Sequence, residues 1–293
     1  MPSAFVTGAS RGIGKAIAVN LARAGYDIAI TARTVQEGEQ REHSSTIARS
    51  DTSALPGSLS TTADLVQAEN VQVMTVPADL TDRASVIAAA QAVLAEWGPV
   101  DVLVNNGRYI GPGHMDRFVD VPLELLDRHL EANVMAPLAL IKEFLPGMLE
   151  RGSGTIINIS SGAGTHDPTG PVGNGGWGVG YGFSKGALHR VAGILSLELH
   201  EQGIRTYNVQ PGYIATERMA QDMGGFGLGF DVSSGPPPDA VGAAIAWILS
   251  HPDAAEARVA QDARELEAQD LTAKLGLLRG WPTPDNPAMY GGR

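Results

Sequence analysis

Residues 4–14 read Ala4-Phe5-Val6-Thr7-Gly8-Ala9-Ser10-Arg11-Gly12-Ile13-Gly14, and this stretch decides the fold. A short apolar run over 4–7 enters a glycine turn, a helical pattern over 15–24 follows, and Gly25 closes it. Glycines at such a turn let the chain bend sharply, let a pyrophosphate reach main-chain N–H groups at the helix N-terminus, and let the helix pack closely on the strand. Glycine spacing alone is a weak signal, since a plain structural turn has the same composition. A second apolar run over 27–32 completes a strand–helix–strand unit of the expected length, and that context favours a dinucleotide site.

The end of the second strand carries the test for the ribose. An acidic residue there would bond the 2′-hydroxyl of NAD, whereas this chain has Arg33, with Arg11 of the glycine loop able to converge on the same spot. Two guanidiniums suit a 2′-phosphate. NADP(H) is therefore preferred, with NAD(H) as the alternative. The plainer reading, that both are solvated surface arginines, stays open because Glu37 and Glu39 lie close by in sequence.

Composition bounds the rest. With 293 residues, 43% apolar and 18% charged, the chain can form one large α/β domain over 1–293. A net charge of −11 and a pI of about 5 argue against nucleic acid and against anionic membrane as partners, leaving a small molecule. Without cysteine there is no disulfide, thiolate catalysis or cysteine metal site, and the seven histidines form no HExxH or close pair, so no metal is expected. The N-terminus runs directly into the first strand pattern with no leader-like segment, and no stretch approaches the length of a membrane span; a cytoplasmic protein is expected.

Residues 36–62 are polar and rich in Ser and Thr, a structureless run of the kind that is either a functional flap or, the favoured reading, disordered. Helical pattern returns at 63–68, a strand at 71–76, and Asp79-Leu80-Thr81-Asp82 caps a helix over 84–97. The strand at 100–104 ends in Asn105-Asn106-Gly107, at the edge where open α/β sheets place their ligands. A long helical stretch over 122–151 contains Asn133, a poor helix former that either serves a site or merely bonds the backbone one turn back.

A strand at 155–159 delivers Ser160-Ser161 to the same edge, and a glycine-rich loop over 162–180 follows, with Trp177 its only large apolar residue. A helix then runs from Tyr181 to about Gly203, and a strand at 205–209 leads to Pro211-Gly212-Tyr213-Ile214-Ala215-Thr216. Residues 217–238, glycine-rich with apolar tips at Met219, Met223, Phe226, Leu228 and Phe230, describe a lid as well as they describe a loop. A helix over 239–250 and an atypical extension over 251–293, with a strand near 264–268 and a short helix over 270–274, complete the chain.

The sharpest chemical signal is Tyr181-Gly182-Phe183-Ser184-Lys185. Four residues apart on a helix, the phenol and the ammonium stand one turn above each other on one face. A fixed ammonium favours a phenolate, so the pair reads as a tuned acid, or else as a half-buried tyrosine beside a snorkelling lysine.

Taken in order, the segment from Thr7 to Gly14, Asn105-Asn106-Gly107, Asn133, Ser161, Tyr181-x-x-x-Lys185 and Pro211-Gly212-x-x-x-Thr216 resemble the classical short-chain dehydrogenase/reductase family over residues 3–250. The resemblance implies a single Rossmann-like, doubly wound domain: a seven-stranded parallel sheet with helices on both faces. It also implies NAD(P)-dependent oxidoreduction of carbonyls and alcohols. It casts Tyr181 as general acid/base, Lys185 as the residue that lowers its pKa and holds the nicotinamide ribose, Ser161 as the anchor of the substrate oxygen, and Asn133 as the holder of a relay water. It places Gly8, Ser10, Gly12, Ile13 and Gly14 along the pyrophosphate, Asp79 and Leu80 beside the adenine, and Asn105 and Gly107 beside the adenosine ribose. Ile214 and Thr216 would meet the carboxamide and phosphates. A homo-oligomer, tetramer or dimer, through helices starting near Pro122 and Tyr181 is implied as well.

Four features depart from the family pattern. Arg108 follows Gly107 where Asn-Asn-Ala-Gly is usual, the segment between Arg33 and Asp79 is about twice the usual length, the gap from Ser161 to Tyr181 is longer, and the common Asp-Gly-Gly ending is missing. The 162–180 loop is accordingly expected to bulge over the pocket, and Trp177 with the Met and Phe residues of the lid suggests a bulky apolar carbonyl compound unless they only pack the lid. Two other readings stand beside hydride transfer: a non-catalytic cofactor-binding regulator or scaffold, and an epimerase or dehydratase using the same tyrosine.

Overall fold

The structure, a computed structural model, describes residues 1–219, 235–260 and 262–278. Alternating apolar runs and helical patterns produce the expected sandwich. Strands β1 (Ser3–Thr7), β2 (Asp27–Thr31), β3 (Val73–Thr75), β4 (Val102–Asn105), β5 (Gly154–Ile159), β6 (Ile204–Gln210) and β7 (Glu265–Glu267) form one sheet in the order β3-β2-β1-β4-β5-β6-β7. All six pairings are parallel. The order reverses between β1 and β4, which pair through Ala4–Val102, Phe5–Leu103 and Val6–Val104. Doubly wound sheets open a crevice at such a switch point, outside the carboxyl ends of the strands.

Helices α1 (Gly12–Arg23), α2 (Leu59–Gln67), α3 (Arg83–Trp97), α4 (Leu123–Leu130), α5 (Ala136–Arg151), α6 (Val179–Leu199), α7 (Asp239–Ser250), α8 (Pro252–Glu256) and α9 (Ala268–Leu275) supply the layers. Successive strand residues point to opposite faces, and the core divides accordingly. Ala4, Val6, Val102 and Val104 pack with Ile17, Leu21, Val241 and Ile245 on one face. On the other, Phe5 and Leu103 pack with Val93, Leu140 and Phe144, the two phenyl rings 5.0 Å apart. Each buried Phe or Leu here contributes about 2–3 kcal/mol of transfer free energy, and this two-sided burial holds the carboxyl edge of the sheet rigid.

Two local details differ from the sequence reading. Helix α2 begins at Leu59, inside the polar stretch, because Ser58 and Thr61 form a reciprocal capping box. The long helix over 122–151 is interrupted by a π-helical turn (Glu131–Met135) centred on Asn133. Such turns break the regular hydrogen-bond ladder and are frequent at functional sites.

Residues 36–58 carry no helix or strand, yet the favoured reading of disorder does not hold for them. Their carboxylates supply the missing order. Glu39 accepts from the amides of Val35 and Gln36 and from Arg41 at 2.6 Å. Glu37 accepts from Gly57 N and Thr61 Oγ1. Glu42 accepts from Ser50 Oγ and the amides of Ser44 and Asp51; burial works against its charge, but these bonds hold its pKa down to about 2. The segment's middle is tied across the molecule: Thr46 Oγ1 and Ile47 N donate to Asp116, and Met115 N donates to Ser45 O at 2.7 Å.

At the C-terminal end, β7 and α9 fall where a strand and helix were expected, while residues 279–293 of the extension lie outside the described residues. Of the expected lid, residues 220–234, with Met223, Phe226, Leu228 and Phe230, also lie outside them. No helix of the described residues is long and apolar enough to cross a membrane.

Candidate active site

The cleft at the switch point is assembled from strand ends. Gly8, directly after β1, has φ +66°, and a Cβ there would lie 2.7 Å from Gly107 Cα after β4. Gly14 closes the turn: a Cβ on it would sit 2.2 Å from Gly8 O. Both positions require glycine, one for its backbone conformation and both for close approach. Thr7 Oγ1 accepts from the amides of Asn106 and Gly107 at 2.9 and 2.8 Å, which locks the two strand ends together.

One cavity runs from this glycine turn to the Tyr181 helix. Its wall includes Gly8, Ser10, Arg11, Gly12, Ile13 and Gly14 of the turn, Arg33, Asp79 and Leu80 from the ends of β2 and β3, and Tyr181, Lys185 and Thr216. Gly107 also lines it. The N-terminus of α1 opens into it, a ready anion site.

Several residues have partners the sequence did not announce. Arg11 lines the cavity with Arg33, and its Nε donates to Pro56 O at 2.9 Å and its Nη2 to Leu55 O and Gly57 O at 3.3 and 2.7 Å, so the guanidinium pins residues 55–57 over the cleft. Burial lowers its pKa from the usual arginine value. Arg33 stands 4.0 Å from Asp79, and its main-chain oxygen accepts from Arg41. Asn105 turns into the sheet, donating to Asn158 Oδ1 at 3.0 Å, and its neighbour Asn106 takes the cavity wall while bonding Thr7 O at 2.8 Å. Ile214 is buried in the core rather than in the wall. Among the described residues no group of three or more His, Asp or Glu could hold an ion.

The residues that sequence reasoning missed come from the 36–62 insertion. Glu39, Arg41, His43, Ser53 and Leu55 line the same cavity. Their only signal was the excess length of the segment. In contrast, no residue of the 162–180 loop belongs to the wall. Gly178 anchors that loop on the segment after β4 by donating to His114 O, Trp177 places its indole nitrogen against Gly182, and residues 167–169 at its tip are exposed.

Around the reacting end, Lys185 is buried and donates to Ile159 O at 2.7 Å. Burial, with Arg108 nearby, pulls its pKa down to about 7. Asn133 is spent at both ends of its amide, accepting from Tyr109 N at 2.6 Å and donating to Ser184 Oγ at 2.9 Å, so it joins the segment after β4 to α6 rather than bonding its own helix. Ser161 Oγ accepts from Ala163 N at 3.3 Å and lies just outside the wall, whereas Ser160 lines it and donates to Glu265 at 2.7 Å. The Tyr181 ring packs at a tilt of 50° against half-buried His114, centroids 4.5 Å apart, with Arg108 over it at 5.5 Å. Burial, then Arg108, keeps His114 far below its ordinary pKa and therefore neutral.

The model of the short chain dehydrogenase family matches residues 2–55 and 52–224. The chain belongs to that family. Among its curated relatives in the short chain dehydrogenase family is a cyclohexanol dehydrogenase of Rhodococcus sp. (strain TK6), 29% identical over 225 residues, 76% of this chain and 78% of that protein. The dehydrogenase/reductase SDR family member 7 of Homo sapiens is 31% identical over 75% of this chain, which spans 58% of that relative's length. Among solved structures, an alcohol dehydrogenase from the archaeon Thermococcus sibiricus, complexed with 5-hydroxy-NADP, matches at 27% identity and a TM-score of 0.64, covering 91% of this chain and 95% of that one. A metagenomic short-chain oxidoreductase in complex with NADP matches at 31% and 0.58, over 72% and 82%. This family member is an oxidoreductase with the Rossmann-like doubly wound fold of its relatives.

Proposed function

We propose that this oxidoreductase moves a hydride between NADP(H) and a carbonyl or alcohol, with Tyr181 as the general acid/base. One observation carries the reading: Tyr181 and Lys185 share a single cavity with the glycine turn of β1–α1. The cradle fits a dinucleotide, since side chains at Gly8 or Gly14 would collide with backbone. Gly12, Ile13, Gly14 and Thr216 would hold the pyrophosphate, and Asp79 and Leu80 the adenine. Arg33 and Arg41 would take the 2′-phosphate, in competition with Asp79 4.0 Å from Arg33 and with Glu39, which is engaged by Arg41 and two amides. Bound there, the nicotinamide supplies or accepts the hydride.

The chain's own part is orientation and proton handling. Tyr181 gives its hydroxyl proton to the oxygen of the carbonyl being reduced, or removes it from an alcohol being oxidised. Lys185, held by Ile159 O, places its amino group on the same cavity as Tyr181. Ser160 lies in the wall but spends its proton on Glu265, whereas Ser161, beside the wall, uses only an acceptor site and keeps its proton for the substrate oxygen. Asn133 holds the segment after β4 against α6 through both ends of its amide. A homo-oligomer is supported by exposed Leu123 and Leu130 on α4 and exposed Val179, Phe183, Ile194 and Leu197 on α6.

The test is a panel of aldehydes and ketones assayed with NADPH and with NADH by cofactor absorbance. NADPH-dependent reduction of at least one carbonyl, lost in Tyr181→Phe, is the expected result. A panel without turnover, alongside tight cofactor binding, favours the regulator reading instead.

A further inference from the structure

The residue the family pattern does not explain is Arg108. Its guanidinium is fixed in the cavity wall: Nη1 donates to Tyr109 O at 3.0 Å and lies 3.4 Å from His114 Nδ1, while the group stands over the Tyr181 ring. Tyr109 N is itself held by Asn133, and the half-buried His114 ring packs against Tyr181, so both groups under the arginine are positioned by the site. Its Nε and Nη2 make no hydrogen bond to any described residue, and it forms no salt bridge among them. Those two nitrogens are the edge of the fork that takes a carboxylate through two parallel bonds.

The surroundings sharpen the need for an anion. Lys185 of α6 and Arg218 after Thr216 also act on His114, but each has a partner of its own: Lys185 donates to Ile159 O and Arg218 to Ser45 Oγ at 3.0 Å. The carboxylates nearest in the chain are committed elsewhere: Glu217 pairs with Lys15 at 2.9 Å, and Asp116 accepts from Thr46, Ile47 N and Gly113 N. Arg108 therefore stands over the Tyr181 ring with no carboxylate partner among the described residues. Apolar side chains from the 162–180 loop, which would have made a greasy pocket, are not in the wall.

We infer that Arg108 is the specificity-determining residue of this oxidoreductase and binds the carboxylate of the substrate, making the substrate class short oxo acids and the corresponding hydroxy acids. This deepens the proposed hydride transfer and rests on it. The guanidinium stands on the tyrosine side of the cavity rather than at Gly12 and Gly14, where the cofactor phosphates would lie, and it is near enough to Tyr181 for one small molecule to present a carboxylate to one and a carbonyl to the other. In reduction, hydride adds to the carbonyl carbon, the carbonyl π pair takes the Tyr181 proton, and the carboxylate stays bound and unchanged at Arg108.

The test uses benzoylformate and 3-benzoylpropionate, each beside its methyl ester, on the full chain with NADP(H). The wild-type protein is expected to favour an acid over its ester by at least ten-fold in kcat/KM, and Arg108→Met to lower that acid-to-ester ratio at least ten-fold, mainly through KM. Arg108→Lys should restore part of the ratio. An ester used as well as its acid, or a ratio unmoved in Arg108→Met, overturns the inference. Weakened NADPH binding by fluorescence titration with the ratio unchanged also overturns it, because the guanidinium then serves the cofactor. Calorimetry of benzoylformate binding to the NADP+ complex separates this from the parent reading. Acid binding lost in Arg108→Met but kept in Tyr181→Phe supports the carboxylate site even where nothing turns over, and equal binding to wild type and Arg108→Met contradicts it.

Discussion

Lys185 Nζ donates to the carbonyl oxygen of Ile159 at 2.7 Å, so the ammonium is held at the end of β5 by the sheet itself. Burial, helped by Arg108, brings its pKa from 10.5 to about 7 in the folded protein. Between those values the unfolded chain binds the extra proton, so this residue makes stability rise with pH. Cofactor-free protein should therefore gain melting temperature from pH 7 to pH 9.5, and Lys185→Met should flatten that gain. A flat wild-type profile contradicts the placement.

Arg108 is the charged group lowering Lys185 and His129 after burial itself. Replacing it with methionine removes a like charge and should move the Lys185 midpoint upward from about 7. The midpoint can be read from the same melting series or from the pH dependence of kcat/KM.

The two arginines expected together at the ribose are held by different partners, Arg11 by the carbonyls of 55–57 and Arg33 near Asp79, and their variants should differ as well. Arg33→Ala should weaken NADPH by about ten-fold or more, the worth of a charge-assisted contact, while changing NADH little. Arg11→Ala frees three carbonyls at 55–57 and should weaken both cofactors together. Paired KM or Kd values for NADPH and NADH decide it.

Thr46 and Asp116 clasp the 36–62 insertion to the segment after β4 at 2.5 Å, with Ile47 N on the second carboxylate oxygen at 3.0 Å. Because Arg41, His43 and Leu55 of that insertion line the cofactor cavity, Asp116→Ala should speed NADPH release by about ten-fold, the cost of losing hydrogen bonds to a charged acceptor. Stopped-flow displacement measures it, and faster proteolysis within 44–53 should accompany it.

Much of this was legible in the chain because it depends on local pattern. Phe5 and its neighbours mark β1 by apolarity, Gly8 and Gly14 mark the turn, and the spacing of Tyr181 and Lys185 follows from helix geometry. What was not legible depends on partners distant in sequence. Nothing in the polar composition of 36–62 says that Glu37, Glu39 and Glu42 each bind main-chain amides and give the segment its shape. Nothing local says that Arg11 will bond carbonyls at 55–57, or that of two adjacent asparagines Asn105 will face Asn158 and Asn106 the cavity. At a strand end one residue's shift reverses the direction of a side chain.

The central claim is that Tyr181 delivers the proton in a nicotinamide-linked carbonyl reduction. Its most direct test is the turnover of Tyr181→Phe with an accepted carbonyl substrate, measured beside NADPH affinity by fluorescence. A fall in kcat of about 10²–10⁴-fold, the usual contribution of a positioned general acid, with NADPH affinity retained, is the predicted result. Wild-type turnover in the variant would contradict it.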